Sequence, residues 1–297
     1  MKYMGALAVA TVLCALAFPV HVYLASEAII ERRYPLPALG GLASSGLITR
    51  GEHLARIAGC ADCHGANLEG RRTNRAGALR LWSSNLKYSA AHMTDGEFER
   101  ALRRGIAPDA TSLWGMPSLD YEYMSERDVG ALLAYLRALG SAGPQQPRPT
   151  WTRPARLALI DDHIQPAVLA VRDAPSSLDM GPRYDGGRYL ARISCSECHA
   201  TDLAGSQAQA APDLNAISLY SRAAFFELLR RGLGARRRRV PVMHRLAAIR
   251  FHFFADYEIM ALYDYLEARA HAPPAQIARD RANEARRRAA AAAQSDD

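Results

Sequence analysis

Two short stretches carry the same set of reactive side chains 135 residues apart. "GCADCHG" covers residues 59–65 and "ISCSECHA" residues 193–200, so Cys60, Cys63 and His64 recur as Cys195, Cys198 and His199. Two thiols separated by two residues, with an imidazole directly behind, can hold a flat macrocycle by two thioether links while the histidine reaches its metal. That is the Cys-x-x-Cys-His pattern of covalent haem c attachment. The two copies use four of the chain's five cysteines, which makes coincidence a poor account of both. A structural zinc site would need a second cysteine or histidine pair in each unit. A dithiol redox pair would accompany a parallel βαβ pattern. Neither is found beside either copy, and the expectation is two covalently bound haem c groups with His64 and His199 as proximal iron ligands.

The opposite face of each iron decides between a wire and a catalyst. A thioether sulfur closes the coordination sphere and raises the reduction potential, whereas an open face admits small reactants. Met116 in "LWGMPS" and Met243 in "VPVMHR" each lie eleven residues after a matched glycine, Gly105 and Gly232, and both are expected in loops between helices. They are the candidate distal ligands. Met93 and Met124 compete in the first unit, His244 and His252 in the second; Met260 reads as core filling, and Met180 belongs to the linker.

The elements that must position these residues come from an internal repeat. "GEHLARIAGCADCH" from Gly51 matches "GRYLARISCSECH" from Gly187, which is one residue shorter. "FERALRRG" ending at Gly105 matches "FFELLRRG" ending at Gly232, and "DVGALLAYLRAL" from Asp128 matches "EIMALYDYLEAR" from Glu258, with Tyr135 opposite Tyr265. Each unit therefore reads as three helices: one entering the cysteine motif, one ending at a glycine C-cap, and a last one with apolar residues at three-four spacing. No strand pattern of comparable strength accompanies them. The fold class is all-α, a tandem of two helical units preceded by one N-terminal transmembrane helix.

That last element rests on Met4 to Ala25, 22 residues without a formal charge apart from whatever His21 carries. About 20 apolar residues cross a bilayer as a helix, and a secretory core is shorter. Cleavage after Ala25 or Ser26 would also place Tyr23 or Leu24 where a small residue belongs. Residues 1–27 are accordingly expected to be a transmembrane anchor, with a cleaved signal peptide as the alternative, and Cys14 a packing residue within it. Residues 28–46 read as a tether, 47–141 as the first unit, 142–184 as a linker, 185–271 as the second unit and 272–297 as a flexible tail. Within the linker, "LALIDDHIQPAVLAV" is expected to lie across the interface between the units.

Composition narrows the function classes. The net charge is +7, but residues 47–140 carry 12 basic and 11 acidic groups and residues 185–271 carry 12 and 9. Neither unit has the basic surface that nucleic-acid binding demands. The sharpest charge feature is the run Arg236 to Arg239, a few residues before Met243. It could steer an acidic partner, clamp haem carboxylates, or simply be solvated.

With these motifs in place, the chain resembles the membrane-anchored dihaem cytochromes c made of two fused class I cytochrome c units, over roughly residues 20–270. The resemblance implies that the first and last helices of each unit cross, bringing Gly51 and Gly187 near Tyr135 and Tyr265. It implies distal ligation by Met116 and Met243 from the loop before the last helix. It places the protein in a bacterial inner membrane, single-pass, with its haem domains in the periplasm. Such proteins are electron carriers without catalytic residues, each iron cycling between Fe(II) and Fe(III). Expected partners are a quinol-oxidising complex or periplasmic dehydrogenase as donor and a terminal oxidase or soluble cytochrome as acceptor, with membrane lipid around the N-terminal helix and no nucleic acid. The alternative is a dihaem cytochrome c peroxidase with one open haem. One departure stands out: a proline carbonyl that orients the proximal histidine in this family has a match in Pro212 of the second unit, and the first unit has none.

Overall fold

The computed structural model describes residues 17–37, 42, 47–75 and 79–295, and these are mostly helical. Residues 17–30 form α1. The first unit contains α2 (Ile48–Ile57), α3 (Cys60–His64), α4 (Leu86–His92), α5 (Asp95–Arg104), α6 (Ser118–Tyr121) and α7 (Glu126–Ala138). The linker contributes α8 (Arg153–Ile160) and α9 (Ala167–Asp173). The second unit has α10 (Asp185–His199), a 3-10 turn at Leu214–Leu219, α11 (Arg222–Arg231), α12 (Pro241–Ile249) and α13 (Asp256–Ala270), followed by α14 (Pro274–Ser295).

Local chemistry sets the helix limits. Thr94 and Glu97 cap α5 reciprocally, Ser125 caps α7, and Ser221 caps α11 through the amide of Ala224. Helices α5 and α11 both end on a glycine in the left-handed region, Gly105 at φ 67° and Gly232 at φ 68°. The repeat recurs in the packing. Helix α2 crosses α7 at Gly51, where a Cβ would stand 2.7 Å from Tyr135 Cβ, and α10 crosses α13 at Gly187, where it would stand 2.6 Å from Tyr265 Cβ. In both units the first helix packs its backbone directly onto the last.

One hydrophobic core runs through both units, joining Leu54, Ile57 and Leu133 to Leu190, Ile259 and Tyr265. Polar contacts also cross between them. Tyr189 donates its hydroxyl to Asp128 at 2.6 Å, His53 Nε2 lies 2.9 Å from Glu258 Oε1, and the Arg192 guanidinium stacks over the Tyr123 ring.

Several expectations need correction. No helix among the described residues is long and apolar enough to cross a membrane, so the N-terminal transmembrane helix and the single-pass inner-membrane location are not supported. Residues 4–16 of the apolar stretch, Cys14 among them, lie outside the described residues. One side of α1 packs on protein: Val22 and the adjoining Ser26 are buried, Arg156 Nη1 donates to Ser26 Oγ at 2.7 Å and to Glu27 at 3.0 Å, and its guanidinium covers the Tyr23 ring, while Phe18, Val20 and Leu24 are exposed. Further along, the Tyr34 amide donates to the carbonyl of Ala110, docking this segment on the first unit.

Strands are also present. β1 (Arg72–Arg75), β2 (Leu79–Trp82) and β3 (Thr150–Trp151) form a three-stranded antiparallel sheet. Leu79 and Leu81 alternate with exposed Arg80 and bury against Ala155 in a second, small core. Only two apolar positions alternate there, too few to stand out in the sequence. The linker helices pack against the first unit instead of lying between the two: Ala155 joins the β2 core, and α9 packs on α5 and α6. The C-terminal segment 274–295 is helical and tied at its start, where Gln276 donates to the Asp179 carbonyl and Asp280 accepts from the Asp179 amide.

Candidate functional site

The extra residue in the first motif has a local structural consequence. Helix α10 runs unbroken from Asp185 through Cys195 and Cys198 to His199, whereas the first copy breaks after Ile57 and restarts as α3 at Cys60. The break is at Gly59, left-handed at φ 73°. Beyond each histidine the two chains take the same path. The His64 carbonyl accepts from the Gly70 amide at 2.8 Å and the His199 carbonyl from the Gly205 amide at 2.9 Å. Leu68 and Leu203 both adopt positive φ, at 60° and 62°, and both are buried.

Each imidazole is fixed through the nitrogen that faces away from its motif. His64 Nδ1 donates to the carbonyl of Ser84 and His199 Nδ1 to the carbonyl of Pro212, each at 2.7 Å. These bonds place the ring proton on Nδ1 and leave Nε2 with its lone pair available to a metal. The acceptor in the first unit is thus Ser84. Because a backbone carbonyl does this work, the side chain at that position is immaterial, which is why the missing proline gave no clue. The residue after each acceptor caps the next helical turn: Asn85 accepts from the Tyr88 amide at 3.1 Å and Asp213 from the Asn215 amide at 2.8 Å.

Burial lowers the pKa of both histidines, only partly offset by these carbonyls, and keeps the rings neutral as metal ligation requires. His64 is buried and His199 more open, in line with the shorter segment that follows it. Burial pushes the Cys60 and Cys195 thiols up to about 12, and Cys63 and Cys198 are raised for the same reason. None of the four has the low-pKa thiolate of a dithiol oxidoreductase. Among the described residues no three His, Cys, Asp or Glu side chains converge as a metal-ion site would need. A donor set of two thiols and one oriented neutral imidazole, present twice, fits thioether-linked haem.

Met116 lies in the loop between Gly115 and α6 and is partly buried against the central core, as is Cys60. Met243 is not in a loop: it occupies the first turn of α12, again partly buried against the core alongside Cys195. Pro241 starts that helix, since its missing N–H costs nothing at a first turn. Of the competitors, Met124 is a fully buried core residue and Met93 caps α4 against the core. His244 Nδ1 donates to the Arg231 carbonyl at 2.7 Å and His252 Nδ1 to that of Ala247 at 3.2 Å.

One group at the site was not legible in the sequence. Arg250, at the C-terminal cap of α12, is buried between the two motifs. It donates to Asp62, which lies between Cys60 and Cys63, and to Glu197, which lies between Cys195 and Cys198. Burial alone would lower its pKa, but the charges of Asp62 and Glu197 outweigh that and raise it, so the cation is retained. No periodicity or motif marks an arginine 51 residues beyond the second motif as its partner.

The Cytochrome c family model matches residues 48–140. The chain is 33 % identical over 105 residues to "Alcohol dehydrogenase (quinone), cytochrome c subunit" of Gluconacetobacter polyoxogenes, covering 31 % of this chain and 22 % of that protein. To "Fructose dehydrogenase cytochrome subunit" of Gluconobacter japonicus it is 27 % identical over 259 residues, 74 % of this chain and 52 % of that protein. To the alcohol dehydrogenase (quinone) cytochrome c subunit of Gluconobacter oxydans (strain 621H) it is 28 % identical over 192 residues, 57 % and 38 % of the two chains. The matched stretches span about half or less of these relatives' length. Residues 48–140, with the Cys60, Cys63 and His64 motif near their start, are a cytochrome c domain.

Proposed function

We propose that the chain is a two-haem electron carrier that serves as the cytochrome subunit of a dehydrogenase. The observation that carries this reading is the doubling of one geometry: His64 on Ser84 and His199 on Pro212, both at 2.7 Å, each in a unit whose first helix crosses its last at a glycine. Cys60 and Cys63 would hold one haem c, Cys195 and Cys198 the other. His64 and His199 would present Nε2 to the metals, and Met116 and Met243 would supply sulfur ligands. When bound, each group supplies reversible one-electron exchange between Fe(II) and Fe(III). The chain's own residues orient the imidazoles, keep them neutral, and pack the shared core beside the motif cysteines.

The dehydrogenase partner is supported by the relatives, which carry that role in their names. Electrons would enter from a separate catalytic chain. Measuring haem against protein after conversion to the pyridine complex should give two haem c groups per chain. The reduced protein should not bind carbon monoxide promptly. One haem per chain, or prompt binding at one centre, would overturn the reading.

A further inference from the structure

Arg250 ties the two Cys-x-x-Cys-His motifs to each other. Its residue is only 4 % exposed. Nε and Nη2 donate to Asp62 Oδ2 at 2.9 and 2.6 Å, Nη2 also donates to Glu197 Oε2 at 3.2 Å, and Nη1 reaches the Ser194 carbonyl at 3.5 Å. Asp62 and Glu197 hold equivalent places, each directly before the second cysteine of its motif. Because one nitrogen serves both carboxylates, the motifs are no further apart at these oxygens than the two bond lengths together.

The surroundings are built to admit this side chain. A Cβ on Gly59, the residue inserted in the first motif, would collide with the guanidinium. Arg250 is anchored at the end of α12, where its amide donates to the Leu246 carbonyl at 2.8 Å. Seven residues earlier the same helix carries Met243, so one rigid element spans the second candidate centre and the junction. A buried ion pair of this kind is a poor stabiliser compared with apolar packing. What a guanidinium adds is a planar fork that fixes two acceptors in one geometry, which neither lysine nor an apolar chain reproduces.

We propose that Arg250 is a positioning residue that locks the two motifs at a fixed separation, so that an electron passes directly between the two haem groups they carry. The proposal rests on the two-haem reading above. The step is balanced within the chain: one electron leaves one iron, which is oxidised, and enters the other, which is reduced, with no proton and no further reagent.

The test uses the full, haem-loaded protein and three variants: Arg250→Lys, Arg250→Met and Glu197→Gln. Haem content per chain, the two midpoint potentials and the rate of inter-haem equilibration after flash reduction by a flavin are measured on each. Arg250→Lys keeps the charge but loses the fork, so both potentials should hold while equilibration slows roughly tenfold. Arg250→Met should slow it as much and also lower both potentials, because a buried positive charge favours the reduced irons. Glu197→Gln, altering a partly exposed side chain, should slow it less and decides the matter if Arg250→Met does not accumulate. Two haems per chain with wild-type equilibration in the variants would overturn this proposal alone. A wild-type chain with one haem would overturn the two-haem reading and the proposal together.

Discussion

Gly51 lies so close to Tyr135 that a Cβ built on it would stand 2.7 Å from the tyrosine's own Cβ and run into the carbonyl oxygen of Ala131. Gly187 has the same relation to Tyr265 and Ala261. Neither neighbour can yield, because both belong to helix backbone or its first side-chain atom. Gly51→Ala and Gly187→Ala are each expected to destabilise the fold by about 1–3 kcal/mol through overpacking. Chemical denaturation followed by circular dichroism would check this, with both variants unfolding at lower denaturant than the wild type.

Met116→His should leave haem attachment intact, since the cysteines and His64 are untouched, and lower the potential of that centre by exchanging a thioether for a stronger donor. Met243→His should do the same at the other centre. Potentiometry on both variants makes the comparison. Unchanged potentials at both centres would remove these methionines as ligands.

Asp128 accepts from Tyr189 of the second unit and pairs with Arg50 of its own. Burial alone would raise its pKa, but hydrogen bonds from Arg50 and Tyr189 and the nearby Arg50 charge outweigh that and hold the carboxyl below its ordinary value. A depressed folded pKa contributes stability that is full above the unfolded value, about 3.9, and fades as pH falls through the folded value. Asp128→Asn should therefore cost about 1–3 kcal/mol at neutral pH. Thermal melts from pH 7 to pH 2.5 should show the gap between wild type and variant closing toward the acid end.

Arg236, Arg237, Arg238 and Arg239 are all exposed, in the loop just before α12 and its Met243. If this patch steers anionic partners, oxidation of the reduced protein by hexacyanoferrate(III) should slow as ionic strength rises. Replacing all four by glutamine should lower the rate at low salt and flatten that dependence. A wild-type rate indifferent to salt would remove the steering role.

The repeat was legible because helix periodicity, glycine C-caps and the cysteine motifs are local properties. Gly105 and Gly232 end their helices in the left-handed region as their positions suggested, and Pro212 accepts from His199. Other features were hidden for specific reasons. Ser84 acts through its carbonyl, which every residue possesses. The small sheet buries too few side chains to leave a pattern. The apolar stretch at the N-terminus suggested lipid, yet Tyr23 near its end and the adjoining Ser26 and Glu27 meet Arg156.

By itself the sequence determined two equivalent Cys-x-x-Cys-His motifs and the helices that carry them, because those depend on spacings of a few residues. Only the tertiary structure decided how the two sets meet. Arg250, Asp62 and Glu197 lie up to 188 residues apart along the chain, and their contact exists because one continuous core presses the units together and leaves a buried guanidinium to satisfy a carboxylate from each.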